Sequence, residues 1–235
     1  MLTRIAATLL LALAPLTARA APACEDVNPR TASWATVDAC TPQARDDSLP
    51  RDTRARAWLQ IGRAHTALGL TTQAGEDLTR AARLFTTPRD KTSAAWALFQ
   101  AGQSQQALAL YDATLGRDPS MRHAWLARCV VQQDLEDWRG SRRSCRRAWD
   151  MDHGGEDVLY FLSRAFIMTD SPVNAVNFTR YGTQQFPDSG RLWVTRVWAE
   201  EIAGNRTEAR RIATEQIRTD PDNIGLQNYL RETAP

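Results

Sequence analysis

Residues 95–129 read AWALFQAGQSQQALALYDATLGRDPSMRHAWLARC, one full period of a repeat that runs through most of the chain. Small or apolar residues recur at intervals of 33, 34, 34 and 34, at Gly62, Ala95, Cys129, Ser163 and Val197. A second set follows twelve residues after the first, at Ala74, Ala107, Ser141, Ala175 and Ala209. A fixed period of this length is typical of stacked helical hairpins, none of which buries its apolar face alone. We therefore predict an all-α fold, an α-solenoid of about five antiparallel helical hairpins.

Breaks in the helical pattern fall at regular places within this repeat. Three of the short polar turns contain a glycine, at Gly69, Gly102 and Gly204. Prolines, which cannot continue a helix, close three of the units, at Pro119, Pro187 and Pro221. The recurring small residues are explained by two antiparallel helices whose axes approach to about 8–10 Å.

The repeat resembles the tetratricopeptide repeat (TPR), whose pattern runs from Trp through Leu-Gly, Tyr, Ala and Phe to a closing Ala and Pro. The first unit matches at Trp58, Ile61, Gly62, His65, Ala74, Leu78 and Ala81. The second matches at Ala94, Ala95, Leu98, Ala107, Tyr111 and Pro119, and the fourth at Leu159, Leu162, Ser163, Phe166, Ala175, Gly182 and Pro187. Five units in phase make the resemblance specific, although any single unit is a weak match.

The third and fifth units depart from this pattern. They keep Trp125 and Trp193, but polar residues stand at slots that are normally apolar: Arg128, Gln132, Arg196 and Glu200. We expect these two units to pack loosely or to be rotated.

The repeats divide the chain into four parts. We expect a signal peptide at 1–20, an irregular N-terminal cap at 21–53 with a short helix near 33–40, and a capping helix at 224–235. The five repeats lie between the caps, at 54–87, 88–121, 122–155, 156–189 and 190–223.

The first twenty residues have the features of an export signal. Arg4 precedes an apolar run that is too short to span a bilayer, and Ala18-Arg19-Ala20 forms a small-x-small cleavage site. We predict cleavage after Ala20 and a periplasmic or secreted protein with no transmembrane segment in the mature chain. A retained anchor, or a lipoprotein acylated at Cys24, is the alternative.

Charge argues against nucleic acid as a partner. Losing Arg4 and Arg19 with the signal lowers the basic count from 29 to 27, which equals the 27 acidic residues. The mature chain is therefore neutral and lacks the bulk electrostatic attraction that nucleic-acid binding requires.

The four cysteines are Cys24, Cys40, Cys129 and Cys145. Cys129 and Cys145 lie at equal distances from Asp137, which falls in a hairpin turn, so they stand at one level on facing helices. We expect these two to form a disulfide and Cys24 to pair with Cys40 in the cap, as an exported protein permits. Two buried thiols at 129 and 145 are the alternative.

The resemblance to TPR proteins implies a concave groove lined by the first helix of each hairpin. Its slots fall on Arg56, Leu59, Arg63, Thr66, Arg89, Thr92, Trp96, Phe99, His123, Leu126, Val130, Gln133, Asp157, Tyr160, Arg164, Ile167, Arg191, Val194, Trp198 and Glu201. Aromatic and Arg side chains are the usual anchors of interfaces, so the strongest candidates are Arg63, Trp96, Phe99, Tyr160, Arg164, Arg191 and Trp198. They predict an extended protein or peptide partner with acidic and apolar features. The alternative is that these aromatic side chains belong to the core between repeats.

A basic stripe lies on the second helix of the third unit, at Arg139, Arg142, Arg143, Arg146 and Arg147. By alignment it faces the convex side, where an anionic envelope polymer, a membrane surface or an acidic partner is a candidate ligand. The alternative is a solvated face balanced by its flanking acids, Glu136, Asp137, Asp150 and Asp152.

No motif of a known catalytic or metal centre occurs in the sequence. The chain has no CxxC pair and three histidines, so we predict no metal site, and we expect no cofactor. The carboxylates at 150–157 depart from the Ca²⁺-loop pattern, and we interpret this segment as a polar turn.

The leading hypothesis is a non-enzymatic scaffold that binds a protein or peptide in the groove. The second is an envelope structural protein that binds an anionic polymer or membrane through the stripe.

Overall fold

The computed structural model describes Cys24 and residues 34–234. The expected signal peptide, and most of the segment between it and residue 34, lie outside these residues. Twelve α-helices and no strand are found in the described part. The first is α1 (Trp34–Arg45) and the last is α12 (Ile224–Glu232).

The ten helices between them form five successive hairpins. The first helices of the hairpins are α2 (Arg51–Ala67), α4 (Pro88–Gln100), α6 (Arg122–Asp134), α8 (Glu156–Met168) and α10 (Gly190–Ile202). The second helices are α3 (Thr71–Leu84), α5 (Ser104–Leu115), α7 (Trp138–Met151), α9 (Pro172–Gln185) and α11 (Arg206–Thr219). The predicted α-solenoid is therefore confirmed.

Capping residues stabilise the N-termini of several of these helices. Thr87 accepts a hydrogen bond from the Asp90 backbone N–H, and Pro88 occupies the first turn of α4. Asn223 accepts from the Leu226 N–H in the same way at the start of α12. Such caps satisfy backbone donors that the helix itself leaves unpaired.

Close helix packing explains the small residue at the start of the repeat. A Cβ added to Gly62 would lie 2.6 Å from the Leu78 side chain, which is fully buried. Because Gly62 has no side chain, α3 can approach α2 closely at this point. The core continues along the stack as a series of clusters shared between neighbouring hairpins, and the last cluster joins the fifth hairpin to α12.

The first helices form one wall of the solenoid. Each of them contacts the first helix of the next hairpin, and α10 also contacts α12, whereas the second helices lie farther apart from one another. The stack therefore curves around the first helices, which line its concave side, and the second helices form the convex side.

Helix α1 is longer than the sequence suggests, because it continues past Pro42 to Arg45. Cys40 and Ala44, one turn apart, are both fully buried in a cluster with Ala57 and Ile61 of α2. This packing stabilises α1 despite the proline.

The structure joins Cys24 to Cys40 and Cys129 to Cys145, with Cα separations of 4.5 and 5.3 Å. The second pair links α6 to α7 within one hairpin. The first links Cys24 to α1.

The third hairpin is not loosely packed at its polar slots. Arg128 donates to Asp112 of α5 and to Ser144 of α7, both at 2.6 Å, and Ser144 donates to Gln132 at 2.6 Å. Gln132 in turn donates to Asp137 at 2.9 Å. A hydrogen-bonded network replaces the apolar contacts that the repeat pattern has at this position.

The fifth hairpin buries a carboxylate at the equivalent slot. Glu200 is 1% exposed and accepts a hydrogen bond from Asn205 at 2.7 Å. Arg196 donates to Thr183 of the preceding hairpin at 3.1 Å and lies over the Trp193 ring. These contacts pair Glu200 only in part, since its other oxygen has no hydrogen bond and lies 3.8 Å from the Arg180 guanidinium.

Candidate functional site

One position in each first helix forms a line along the concave wall. It is occupied by Arg63, Trp96, Val130, Arg164 and Trp198, at intervals of 33, 34, 34 and 34 residues. The side chain there alternates between basic, aromatic and aliphatic character, so different parts of the wall suit different groups of a ligand.

Trp96 lies at the edge of a cleft on this wall. The Trp96 side chain is 37% exposed, and its ring contacts Phe99 at a centroid distance of 5.1 Å. The cleft has a volume of about 270 Å³ and is lined by Arg63, Thr92, Ser93, Trp96, Tyr111, His123, Ala124 and Ala127. Its lining comes from three successive first helices, with Tyr111 from α5 at the bottom. An exposed tryptophan beside such a cleft is a typical interface anchor.

Trp198 of α10 is a second exposed tryptophan on this wall. It is 38% exposed and occupies the position equivalent to Trp96 three hairpins later. Its neighbour Glu201 accepts hydrogen bonds from Tyr229 of α12 and from Arg206, both at 2.8 Å. The wall therefore carries an exposed tryptophan toward each end.

Tyr160 lies between two arginines in the middle of the wall. The guanidinium carbons of Arg191 and Arg164 stand 4.9 and 5.5 Å from its ring centroid. This cation–π packing covers the tyrosine ring, so Tyr160 holds the two arginines in place rather than offering a free face for stacking.

The two arginines differ in whether their guanidinium groups are already paired with carboxylates. Arg191 is bound by two carboxylates of α8, Glu156 at 2.5 Å and Asp157 at 2.6 Å. Within the described residues Arg164 forms no ion pair, and it also lies over the Trp138 ring at 5.8 Å. Arg164 is therefore the guanidinium of this pair that can receive an acidic group.

Two contacts at this site lower the pKa of the Glu156 carboxyl. A hydrogen bond from the Ser189 hydroxyl, at 2.6 Å, and the contact with Arg191 hold the pKa of the Glu156 carboxyl below its usual value. The carboxylate therefore stays charged to lower pH than a free glutamate. It links α8 to α10 along the wall.

Three slots of the predicted groove lie beneath the wall and not on it. Leu59 and Ile167 are buried, and Gln133 donates hydrogen bonds to Ser141 and to the Phe161 carbonyl. These residues fix the packing between hairpins. Phe99 is half-buried, so part of its ring remains available beside Trp96.

The sequence pattern did not predict three residues that contribute to this site. Ala124 and Ala127 help to form the cleft because their small side chains leave space beside Trp96. Trp138 supports Arg164 from the start of α7, and its position directly after the capping residue Asp137 was a detectable signal.

The basic stripe lies on α7, on the convex side. Arg146 pairs with Asp150 at 2.9 Å, and Arg142 donates to the hydroxyls of Thr169 and Ser171 at 3.0 and 3.2 Å. Arg139, Arg143 and Arg147 are exposed and form no ion pair within the described part of the chain.

Neither a metal cluster nor a membrane-spanning helix is found among the described residues. In the part of the chain that the structure describes, no three His, Cys, Asp or Glu side chains come together in a way that would hold a metal ion. None of the helices in that part has the length and apolarity needed to cross a bilayer.

Comparison with known proteins identifies the fold. No protein-family model matches the sequence, and no curated protein sequence is detectably similar to it. Solved structures are similar. The TPR protein YrrB, described as having an unusual peptide-binding site, matches with a TM-score of 0.63 and 13% identity over 82% of this chain and 98% of YrrB.

Two other solved structures give the same result. Residues 41 to the end of MamA from Desulfovibrio magneticus match with a TM-score of 0.61 and 14% identity, over 77% of this chain and 97% of that one. A tetratricopeptide repeat protein from Parabacteroides merdae matches with a TM-score of 0.63 and 14% identity, over 79% and 72%. The chain therefore has the tetratricopeptide repeat fold.

Proposed function

We propose that this chain is an exported, non-enzymatic scaffold that binds a protein or peptide segment along its concave wall. The observation that carries the proposal is the cleft beside Trp96, where an exposed tryptophan and polar side chains from three hairpins surround about 270 Å³ of open space. The likeness to YrrB, whose structure is described as having a peptide-binding site, supports the class of partner. The N-terminal sequence supports export.

The chemistry of the wall suggests what the segment contains. An apolar or aromatic side chain fits beside Trp96, because burying it there removes apolar surface of both partners from water. An acidic side chain fits at Arg164, whose guanidinium is positioned by Tyr160 and Trp138. Trp198 supplies a second apolar contact farther along the wall.

The experiment is affinity capture of envelope proteins with the mature chain, followed by mass spectrometry. The test bait carries Trp96→Ala with Trp198→Ala. The control bait carries Tyr181→Ala, which removes an exposed aromatic side chain (40% exposed) from α9 on the convex side. Circular dichroism checks that all baits are folded.

We expect a protein that is recovered by the parent and by the Tyr181→Ala bait and is lost from the double variant. Recovery should depend only mildly on salt, because apolar anchors dominate. Equal recovery by all three baits would contradict binding on the concave wall.

A further inference from the structure

Helix α7 has an unfavourable distribution of charge for an α-helix. Its five arginines all lie within the first ten residues, Arg139 is in the first turn, and the last turn contains no basic residue. Cations near a helix N-terminus oppose the helix dipole, and like charges four residues apart repel. Two such pairs follow one another along one face: Arg139 with Arg143, and Arg143 with Arg147. A natural sequence that departs from local rules in this way marks a candidate functional surface.

The neighbouring acids do not neutralise this helix. Asp137 accepts a hydrogen bond from the Gly140 backbone N–H, and Asp152 pairs with Arg122 of α6. Asp150 is the one flanking acid that pairs with the stripe within the described residues, and it binds Arg146. The stripe therefore keeps most of its positive charge.

The arginines also border a cleft. It has a volume of about 360 Å³ and is lined by Arg142, Arg143, Arg146, Arg147, Asp150 and Phe166. Phe166 of α8 is 8% exposed and stacks on Phe178 of α9, so it forms a rigid apolar floor. Arg142 is held by the hydroxyls of Thr169 and Ser171 at the next hairpin turn.

We propose that this cleft is an anion site that binds a phosphoryl group attached to an apolar moiety. Arg143 and Arg147, which carry no carboxylate partner in the described chain, would bind the phosphoryl oxygens. Guanidinium groups suit this role because their planar N–H donors match the geometry of phosphate oxygens. Phe166 would contact the apolar moiety. The site lies on the convex side and does not depend on the groove function.

The test is calorimetric titration of the mature chain with inorganic pyrophosphate at constant ionic strength. The test variant is Arg143→Gln with Arg147→Gln. The control variant is Arg83→Gln with Arg218→Gln, which changes the net charge equally on two other second helices, α3 and α11. A second arm measures co-sedimentation with phosphatidylglycerol vesicles and with phosphatidylcholine vesicles, which separates a free phosphate source from a lipid headgroup.

We expect the parent and the control variant to bind alike, and the test variant to bind about tenfold or more weakly. The test variant should be at least as stable as the parent, because it relieves the repulsion within α7, so loss of binding would not reflect unfolding. Binding of pyrophosphate supports a soluble ligand, and selective binding of phosphatidylglycerol supports a lipid. Absence of binding in both arms, or equal weakening in the control variant, would overturn the proposal.

Discussion

Glu136 and Asp170 occupy the same left-handed backbone position in two consecutive hairpin turns, with φ values of 58° and 51°. The other three hairpins have Gly69, Gly102 and Gly204 at this position, with φ between 75° and 81°. In all five turns the following residue donates its N–H to a carbonyl five residues before it, as in the bonds from Asp137 to Gln132 and from Ser171 to Phe166. The turn geometry is therefore common to all repeats, and two turns adopt it with a residue that is strained there.

Replacing these residues with glycine should stabilise the chain. We expect Glu136→Gly to raise the free energy of unfolding by about 0.5–1 kcal/mol, because it removes the left-handed strain. Glycine also increases the conformational entropy of the unfolded chain, and this effect offsets only part of the gain. Asp170→Gly should gain less, since Asp tolerates this conformation better. Urea denaturation measures both effects.

A glycine placed inside a helix gives the matched control. Glu76→Gly in α3 should lower the stability by about 1 kcal/mol. If both turn variants also lower the denaturation midpoint, the left-handed turn is not a source of strain.

The fold followed from the sequence because its signals are local and repeated. The turn position was visible as glycine in three units, and the period fixed the phase of Glu136 and Asp170 in the other two. The side-chain contacts of the candidate site were harder to predict from the sequence. The pairing of Arg191 with Glu156 and Asp157 depends on the rotation between neighbouring hairpins, and so does the burial of Gln133. A repeat pattern specifies the slot of a residue but not the contact its side chain makes in the next unit.

The network around Arg128 should contribute to stability. Arg128→Ala would remove donors to Asp112 and to the buried Ser144, and we expect a loss of about 1–3 kcal/mol. Arg211→Ala is the control, because the Arg211 pairs with Glu208 and Glu215 lie on the exposed surface of α11. It should leave the denaturation midpoint nearly unchanged. Equal effects of the two substitutions would show that the buried network adds nothing.

The two disulfides should be present in the mature protein. We expect no thiol to titrate in denaturant without a reductant. Each bridge closes a loop with a sequence separation of 16 residues, so Cys129→Ala with Cys145→Ala should cost about 3 kcal/mol in the chain-entropy model. Two or more free thiols in the parent would contradict the pairing.

Stability should depend on pH through Glu156. Because the folded pKa of Glu156 is lowered by Ser189 and Arg191, its contribution is present above the usual pKa near 4.5 and is lost as the pH falls through the lower folded value. The stability difference between the parent and Glu156→Gln should therefore shrink on acidification from neutral pH. Ser189→Ala, which removes the main cause of the shift, should weaken this dependence. A difference that stays constant or widens on acidification would contradict the assignment.

Binding on the concave wall is tested most directly by cross-linking. A photo-reactive amino acid is placed either at Val130, between Trp96 and Arg164 in the line along the wall, or at Asn177, exposed on α9. Each protein is mixed with the partner recovered by affinity capture and irradiated. We predict a cross-linked product from position 130 and none from position 177. Cross-linking from position 177 alone would contradict the account and would place the partner on the convex side.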